Sequence, residues 1–227
     1  MPKHPIDQII QARKTEKVLA NVQAPLAVSD TLDITSLLMA ASWAPFHKPA
    51  HESHRINRQD DLKALMPWRC YHLKAQSCRS LLERLKTWSK DDPSWMNGKI
   101  PSMLASADAL LIVTFLPNPS SKPLEAPQLF EASKDNMEHI AAASAAIQNL
   151  LLAATARGIA NYWSSGGNTL LRSEIYQLLE IPSQEILLGA IFLFPQQVQN
   201  DAVTIEGGSW RNERGELGDW SKGINLS

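Results

Sequence analysis

The longest apolar stretch of the chain runs from Glu138 to Gly167 and predicts a helix followed by a turn. Apolar residues recur at helical spacing and alanines fill the other faces, so this helix is expected to be buried on most sides. Its apolar part, about 18 residues, is marginal for a bilayer span and lacks flanking cationic anchors, which favours a soluble core or a subunit interface. Arg157 in the last turn and Gly158 directly after it are typical of a helix end.

A short extended segment, Ile159 to Trp163, follows this helix, and then comes a loop of small polar residues, Ser164, Ser165, Gly166 and Gly167. Glycines let a backbone approach the edge of a flat ligand, while hydroxyls and free N–H groups bind its carbonyls and nitrogens. An ordinary helix, turn and strand with a core tryptophan would produce the same pattern. The stretch alone leaves both interpretations open.

The remaining hydrophobic pattern predicts further helices and two buried strands. Helices are expected over residues 5–13 and over most of 60–89. Another should begin at a cap at Ser29 or Asp30 and end at Trp43. The helix of the apolar stretch should begin at a cap at Asn136 or Asp135, and a last helix should follow a cap at Asn168. Continuous apolar runs predict strands over residues 109–116 and 185–194, and Gly189 within the second indicates close backbone approach. Proline-rich or polar loops should connect them, and the loop carrying Trp95 is expected to be packed rather than a lid.

Composition excludes several classes of protein. A chain of 227 residues with 44% hydrophobic content can bury a sizeable core, and a net charge of −1 gives no electrostatic footprint for nucleic acid. The N-terminal residues lack the apolar region of a secretory signal, and Cys70 and Cys78 have neither disulfide-scaffold nor Cys-x-x-Cys spacing. We therefore expect a cytoplasmic protein that binds neither membrane nor nucleic acid.

Basic residues cluster directly after the first helix, at Arg13, Lys14 and Lys17, with Thr15 among them. Three cations and a hydroxyl within five residues can surround a phosphate group. Short basic clusters are more often solvated surface, so charge alone does not decide between the two.

Histidines are concentrated after the second helix, at His47, His51 and His54. Spacings of four and three would place them on one helical face, as in some zinc sites. Pro45 and Pro49 argue against a continuous helix there, so solvated or ligand-facing histidines are preferred and no metal ligands are assigned.

Three motifs together resemble the FMN-dependent nitroreductase family. The alanine-rich helix ending in AATARGI, followed by YWSSG, is similar to the compact branch of the family with a Trp-x-Ser-Gly flavin loop. Arg13, Thr15 and Lys17 resemble the family's Arg-x-Ser-x-Arg phosphate segment, and residues 44–48 match its Ala-Pro-x-His-Lys turn. The resemblance covers residues 5–195 and departs at residues 51–55, where the family usually has Gln-Pro-Trp-x-Phe.

The resemblance implies a fold of the α+β class, with a mostly antiparallel sheet flanked by helices in an intertwined homodimer. The chain would form a single domain over residues 1–227. Its divergent C-terminal extension, residues 196–227, would pack on the partner subunit, where Arg211 or Arg214 could reach the phosphate. A loosely packed surface tail is the alternative.

The resemblance also implies an FMN-dependent oxidoreductase with NADH or NADPH as electron donor. Hydride would pass by ping-pong kinetics to a small-molecule acceptor such as a nitroaromatic or quinone, and no side chain is catalytic because flavin N5 carries the hydride. The implied cofactor-binding residues are Arg13, Lys14, Thr15, Lys17, Trp43, His47, Trp163, Ser164, Ser165 and Gly166. The alternatives are a flavin-binding protein without reductase turnover, to which the altered residues 51–55 point, and a histidine-based metal-binding or structural protein.

Overall fold

The computed structural model describes residues 4–56, 62–126, 128–196 and 200–224. The helices are α1 (Pro5–Ala12), α2 (Ile34–Ser42), α3 (Ser53–Ile56), α4 (Ala75–Trp88), α5 (Ile100–Leu104), α6 (Lys134–Ala156), α7 (Gly167–Leu170), α8 (Ser173–Leu178) and α9 (Leu217–Trp220). The strands are β1 (Glu16–Ala20), β2 (Trp68–Lys74), β3 (Ala109–Phe115), β4 (Asn161–Ser164), β5 (Ile186–Leu193) and β6 (Val203–Gly207). Short 3₁₀ turns cover Pro93–Met96 and Asn200–Ala202.

Two antiparallel sheets organise the described residues. The larger has the strand order β2-β3-β5-β4, and the smaller pairs β1 with β6. Every residue of β3 is buried, as expected of a continuous apolar strand covered on both faces. Helices with antiparallel sheets make an α+β fold, so the predicted class is confirmed.

One face of the larger sheet is covered by α6 and α2, and the other by α4 and α5. Among the described helices, α6 alone is long and apolar enough to cross a membrane. Its Ala143, Ile147 and Leu150 are buried in the cluster that joins α2 to the sheet, as in the core helix of a folded domain. Gly158 has φ +69 and ends this helix as predicted.

Of the helical segment predicted over residues 60–89, with an interruption near Pro67 and Trp68, only Ala75–Trp88 is a helix: the described residues 62–67 are not helical, and Trp68–Lys74 form β2. This segment pairs along its whole length with β3, from Trp68 opposite Phe115 to Lys74 opposite Ala109. Pairing with a distant strand outweighed the local helical spacing of the leucines. Residues 60 and 61 of that prediction lie outside the described residues.

The predicted caps of two helices are corrected. The cap of α6 is Ser133, not Asn136 or Asp135, because its hydroxyl accepts from Asn136 N at 3.2 Å. The cap of α2 is not Ser29 or Asp30 but Asp33, whose carboxylate accepts from Ser36 N at 3.1 Å. In both cases the helix begins at a different residue from the one predicted, although its type is correct.

The helix predicted after Asn168 is two short helices, and Asn168 caps neither of them. Gly166, with φ +90, precedes α7, and Arg172 precedes α8. The helical spacing of the apolar residues therefore continues across a break between a helix of four residues and one of six.

Candidate functional site

The basic cluster lies at the junction of α1 and β1, beside the C-terminal segment. Antiparallel pairing places Glu16 opposite Gly207, so the chain leaving β6 passes directly over the end of α1. A pocket of about 310 Å³ forms there, which we call the cationic pocket. Its lining residues are Arg13, Thr15, Lys17, Tyr162, Gly208, Ser209, Trp210, Arg211 and Arg214.

Four cations and no acidic residue line the cationic pocket, among the residues that the structure describes. Burial lowers the pKa of Arg13, and the positive charges of Arg211 and Arg214 lower that pKa further. Like charges held together in this way repel one another, and a bound anion would relieve the repulsion. The pocket is therefore suited to phosphate or another compact anion.

The donors of the cationic pocket are not all equally available. Arg211 donates to the carbonyl oxygens of Arg13 and Gln11 at 2.6 and 2.7 Å, which fastens the C-terminal segment to the end of α1. Arg214 uses only Nε within the described chain, at 3.2 Å to Arg211 O. The Thr15 hydroxyl has no hydrogen-bond partner among the described residues, and it faces Gly208, where a Cβ would lie 3.4 Å from its oxygen.

A second pocket, of about 380 Å³, adjoins the first and shares Lys17 and Tyr162 with it. We call it the loop pocket. The Lys17 ammonium lies 5.1 Å from the centre of the Tyr162 ring, a cation–π contact at the boundary between the two. The other lining residues are Ser94, Asn97, Gly98, Lys99, Ile100, Met103, Ser164, Ser165, Gly167, Asn168, Thr169 and Arg172.

The serine–glycine loop forms one wall of the loop pocket, and its own residues hold its shape. The buried Ser164 hydroxyl accepts from Gly166 N at 3.1 Å. Gly166 has φ +90, and a Cβ there would lie 2.5 Å from Leu187 Cδ2, so the position requires glycine. Ser165 is exposed and lines the pocket beside Gly167.

A family comparison identifies the fold that carries these two pockets. The model of the nitroreductase family matches residues 30–193 of the chain. The chain belongs to the nitroreductase family. This membership confirms the resemblance inferred from the sequence motifs.

Solved structures agree with this nitroreductase assignment at the level of the fold. A nitroreductase-like family protein from Bacillus cereus has a TM-score of 0.62 at 18% identity, covering 100% of this chain and 99% of that one. A putative nitroreductase from Desulfovibrio desulfuricans, solved in complex with FMN, has a TM-score of 0.59 at 20% identity, covering 99% of each chain. Nitroreductase CinD from Lactococcus lactis, in complex with nicotinic acid, has a TM-score of 0.62 at 12% identity, covering 96% of this chain and 99% of that one. A search of the curated proteins finds no match.

Within this nitroreductase chain, Arg13, Thr15 and Lys17 meet in the cationic pocket, and Ser164 and Ser165 line the loop pocket. Gly166 is buried within the serine–glycine loop and lines neither pocket, and four more of the ten residues predicted from sequence lie elsewhere. Lys14 instead pairs with Glu16 at 2.9 Å. Trp43, which is 82% exposed, and His47, which is also exposed, line neither pocket.

Trp163 is the fourth of these residues, and it faces the α6 side of the sheet. Its Nε1 donates to Leu188 O at 3.3 Å, and its ring packs against Gly189. The strand neighbour Tyr162 therefore faces the pockets, because alternate side chains of a strand point to opposite faces. That alternation was readable from the sequence and would have pointed to Tyr162.

Two basic residues of the loop pocket were not expected from the sequence. Arg172 pairs with Asp92 at 2.8 Å and stacks over Trp95 at 3.9 Å, so the loop carrying Trp95 is packed as predicted. Lys99 pairs with Glu206 of β6. Both depend on contacts between segments far apart in sequence, for which no local motif gives a signal.

The histidines do not converge in the structure. His54 is buried, and its Nε2 lies 2.7 Å from Pro117 O, while His51 Nδ1 lies 2.8 Å from Ser53 Oγ. Burial lowers the pKa of His54, which favours the neutral ring. Among the described residues, no group of three histidine, cysteine or acidic side chains is arranged to hold a metal ion.

Proposed function

We propose that this nitroreductase binds FMN across its two joined pockets and transfers hydride from NADH or NADPH to a nitroaromatic, quinone or related acceptor. The observation that carries the proposal is the acid-free cationic pocket opening through Lys17 and Tyr162 into the loop pocket. Family membership supports a flavin-dependent oxidoreductase in general. Each pocket falls within the roughly 300–1,000 Å³ of ordinary ligand sites.

The phosphate of FMN would lie in the cationic pocket. Arg13 and Arg214 have guanidinium groups available there, and Thr15 has an unpartnered hydroxyl within the described chain. Lys17 would add a point charge on the side toward the ring. Arg211, which binds the carbonyls of Arg13 and Gln11, would position the C-terminal segment.

The isoalloxazine would lie against the serine–glycine loop. Ser165 and Gly167 border the loop pocket, so the loop backbone can approach a ring edge and donate N–H groups to it. When bound, FMN supplies a two-electron carrier that accepts a hydride and later releases it. Donors fixed beside the ring would stabilise negative charge that develops on reduction.

We infer that Trp43 and His47 would contact the flavin from a second copy of the chain. Both are exposed and outside the pockets of their own chain, yet they belong to the segment that resembles the family's flavin-contacting turn. A homodimer would bring such a segment to the pocket of its partner. It would also cover the exposed Met39, at the end of α2 that precedes Trp43.

The test is the visible spectrum of the purified protein during anaerobic titration with FMN and then with NADH or NADPH. Flavin binding followed by nicotinamide-dependent bleaching, and recolouring on adding a quinone or nitroaromatic, is the expected result. Binding without bleaching would instead support the flavin-binding protein without turnover. No binding at micromolar FMN would overturn the assignment of both pockets.

A further inference from the structure

A third cavity, of about 690 Å³, shares no lining residue with the cationic or loop pocket. It lies where β3 begins and β5 ends, beneath the segment between β1 and α2 and beside the end of α6. We call it the end cavity. Its lining residues are Leu26, Ala27, Ser29, Thr31, Leu32, Asp33, Ser36, Asp108, Arg157, Ile159, Phe194, Pro195, Gln196 and Ala202.

The end cavity contains a buried carboxylate with no hydrogen-bond donor. Asp108 is only 6% exposed, and its Oδ1 is fully enclosed with no partner among the described residues. Its backbone is fixed by a 2.9 Å hydrogen bond from its N–H to Leu193 O at the end of β5. Burial raises the pKa of the carboxyl group to about 6. A buried carboxylate normally has donors, and leaving one without them is costly.

Arg79 lies near Asp108, but no hydrogen bond joins the two, and Arg79 Nη2 is itself buried with no partner among the described residues. Its Nε donates to Leu26 O at 3.1 Å, and its Nη1 donates to the carbonyl oxygens of Leu104 and Ala107. Its positive charge lowers the pKa of Asp108, but burial has the larger effect. The carboxylate therefore has a partial counter-charge and no direct donor.

The other charged groups of the end cavity interact with each other or with the backbone at its rim. Arg157 donates to Ala153 O at 2.8 Å, and its positive charge contributes to lowering the pKa of Asp33. Asp33 itself accepts from Ser36 N as the cap of α2. Much of the remaining wall is apolar, from Leu26, Ile159 and Phe194, so the cavity combines an apolar body with one buried acidic group, Asp108, and an acidic cap at its rim, Asp33.

We propose that the end cavity is a second ligand site, which binds a small organic ammonium ion with its apolar body against Ile159 and Phe194 and its N–H donors on Asp108. Because Oδ1 is fully enclosed, such a ligand would donate to Oδ2, and it would also remove apolar wall from water. An anion or a neutral molecule of the same shape can also cover the apolar wall, but it lacks the charged N–H donors. The site does not depend on flavin binding, because it shares no residue with the joined pockets.

The experiment is titration of the full-length protein with 2-phenylethylammonium, followed by calorimetry and by amide chemical shifts. The neutral 2-phenylethanol and the anionic 3-phenylpropanoate are the matched ligands. At a pH above the pKa of Asp108, the ammonium should bind at least about tenfold more tightly than either matched ligand, because charge-assisted hydrogen bonds are stronger than neutral ones. Equal binding of the alcohol, or no binding of the ammonium, would overturn the proposal.

Variants of the protein test whether the ammonium ligand binds in the end cavity. Asp108→Asn should weaken ammonium binding about tenfold or more, whereas Asp30→Asn removes an exposed acid of the same region that does not line the end cavity and should change nothing. Ala27→Trp keeps the carboxylate and adds a bulky side chain to the lining of the end cavity, so it should weaken the binding of all three ligands alike. Thermal unfolding confirms that each variant is folded. Unchanged affinity in both Asp108→Asn and Ala27→Trp would place the ligand elsewhere.

Discussion

The Arg211 guanidinium donates a 2.6 Å hydrogen bond to the carbonyl oxygen of Arg13, although the two residues are 198 positions apart. A second bond from the same guanidinium reaches Gln11 O at 2.7 Å. A cation at the last carbonyls of a helix is favoured by the helix dipole, so Arg211 completes the end of α1. The C-terminal segment thereby becomes part of the cationic pocket.

Arg214→Ala should weaken FMN binding about 10- to 100-fold, because a hydrogen bond to a charged group contributes about 1.5–3 kcal/mol. Arg214 lines the cationic pocket and keeps its terminal nitrogens free of described partners. The measurement is a fluorescence titration with FMN and, in parallel, with riboflavin, which lacks the phosphate. Riboflavin affinity should be unchanged.

Lys14→Ala is the control for that comparison, since it removes a neighbouring cation that pairs with Glu16 outside the pocket. Its effect on FMN affinity should be within about threefold, as for an exposed ion pair. Equal losses for FMN and riboflavin in Arg214→Ala would show that the arginine does not bind the phosphate.

Arg211→Ala should loosen the C-terminal segment before it affects the rest of the fold. The two bonds to the end of α1 are lost, while β1 and β6 keep their pairing. Amide hydrogen exchange over residues 208–214 should become about tenfold faster or more, with exchange in β3 unchanged. Lys222→Ala, an exposed cation of the same segment, is the matched control, and equal exchange in the two variants would contradict the anchoring role.

The sequence predicted the parts of the site whose residues are close together along the chain. Arg13 and Thr15 lie between α1 and β1 and Lys17 is the second residue of β1, and the serine–glycine loop follows α6 after the short strand β4. Arg211 was a candidate only by resemblance, because the register of β1 with β6 is a pairing of distant segments. No local pattern determines such a register.

The errors in the predicted elements have the same origin. Trp68–Lys74 contains leucine and cysteine at spacings compatible with a helix, and only the presence of β3 beside it selects the extended form. The resemblance to the family's Trp-x-Ser-Gly loop implied that Trp163 borders the flavin, and this assignment stays a prediction. The direction of its side chain depends on the pleat of β4, and Gly189 of the neighbouring strand leaves room for it.

Gly189→Ala should destabilise the fold by about 1–3 kcal/mol, the usual cost of overpacking a close contact. A Cβ there would lie 2.9 Å from Trp163 Cδ1 and nearer still to Nε1. Gly207→Ala is the matched control, since it is also a strand glycine but has no atom within 4 Å of the added carbon. Urea unfolding measures both. Equal stability of the two variants would show that Trp163 does not occupy this contact.

Asp108 should make the stability of the protein depend on pH in the opposite direction from an ordinary salt-bridged carboxylate. Burial raises its pKa to about 6 in the folded state, above the ordinary aspartate value of 3.8, so the folded protein holds this proton more tightly than the unfolded chain. The resulting stabilisation is complete below about pH 4 and is lost as pH rises through about 6, a change of about 1–3 kcal/mol.

Asp108→Asn cannot titrate, so it isolates this effect from every other group. The free energy of unfolding of the natural protein, minus that of the variant, should fall between about pH 4 and pH 7. Any effect of the asparagine on Arg79 is the same at every pH in this range, because the guanidinium stays charged. It therefore does not alter how the difference between the two free energies changes with pH. Urea unfolding at several pH values measures this difference. Parallel pH profiles of the two proteins would mean that the carboxylate already has its donors in the folded protein. With a saturating ammonium ligand, the two profiles should become closer to parallel.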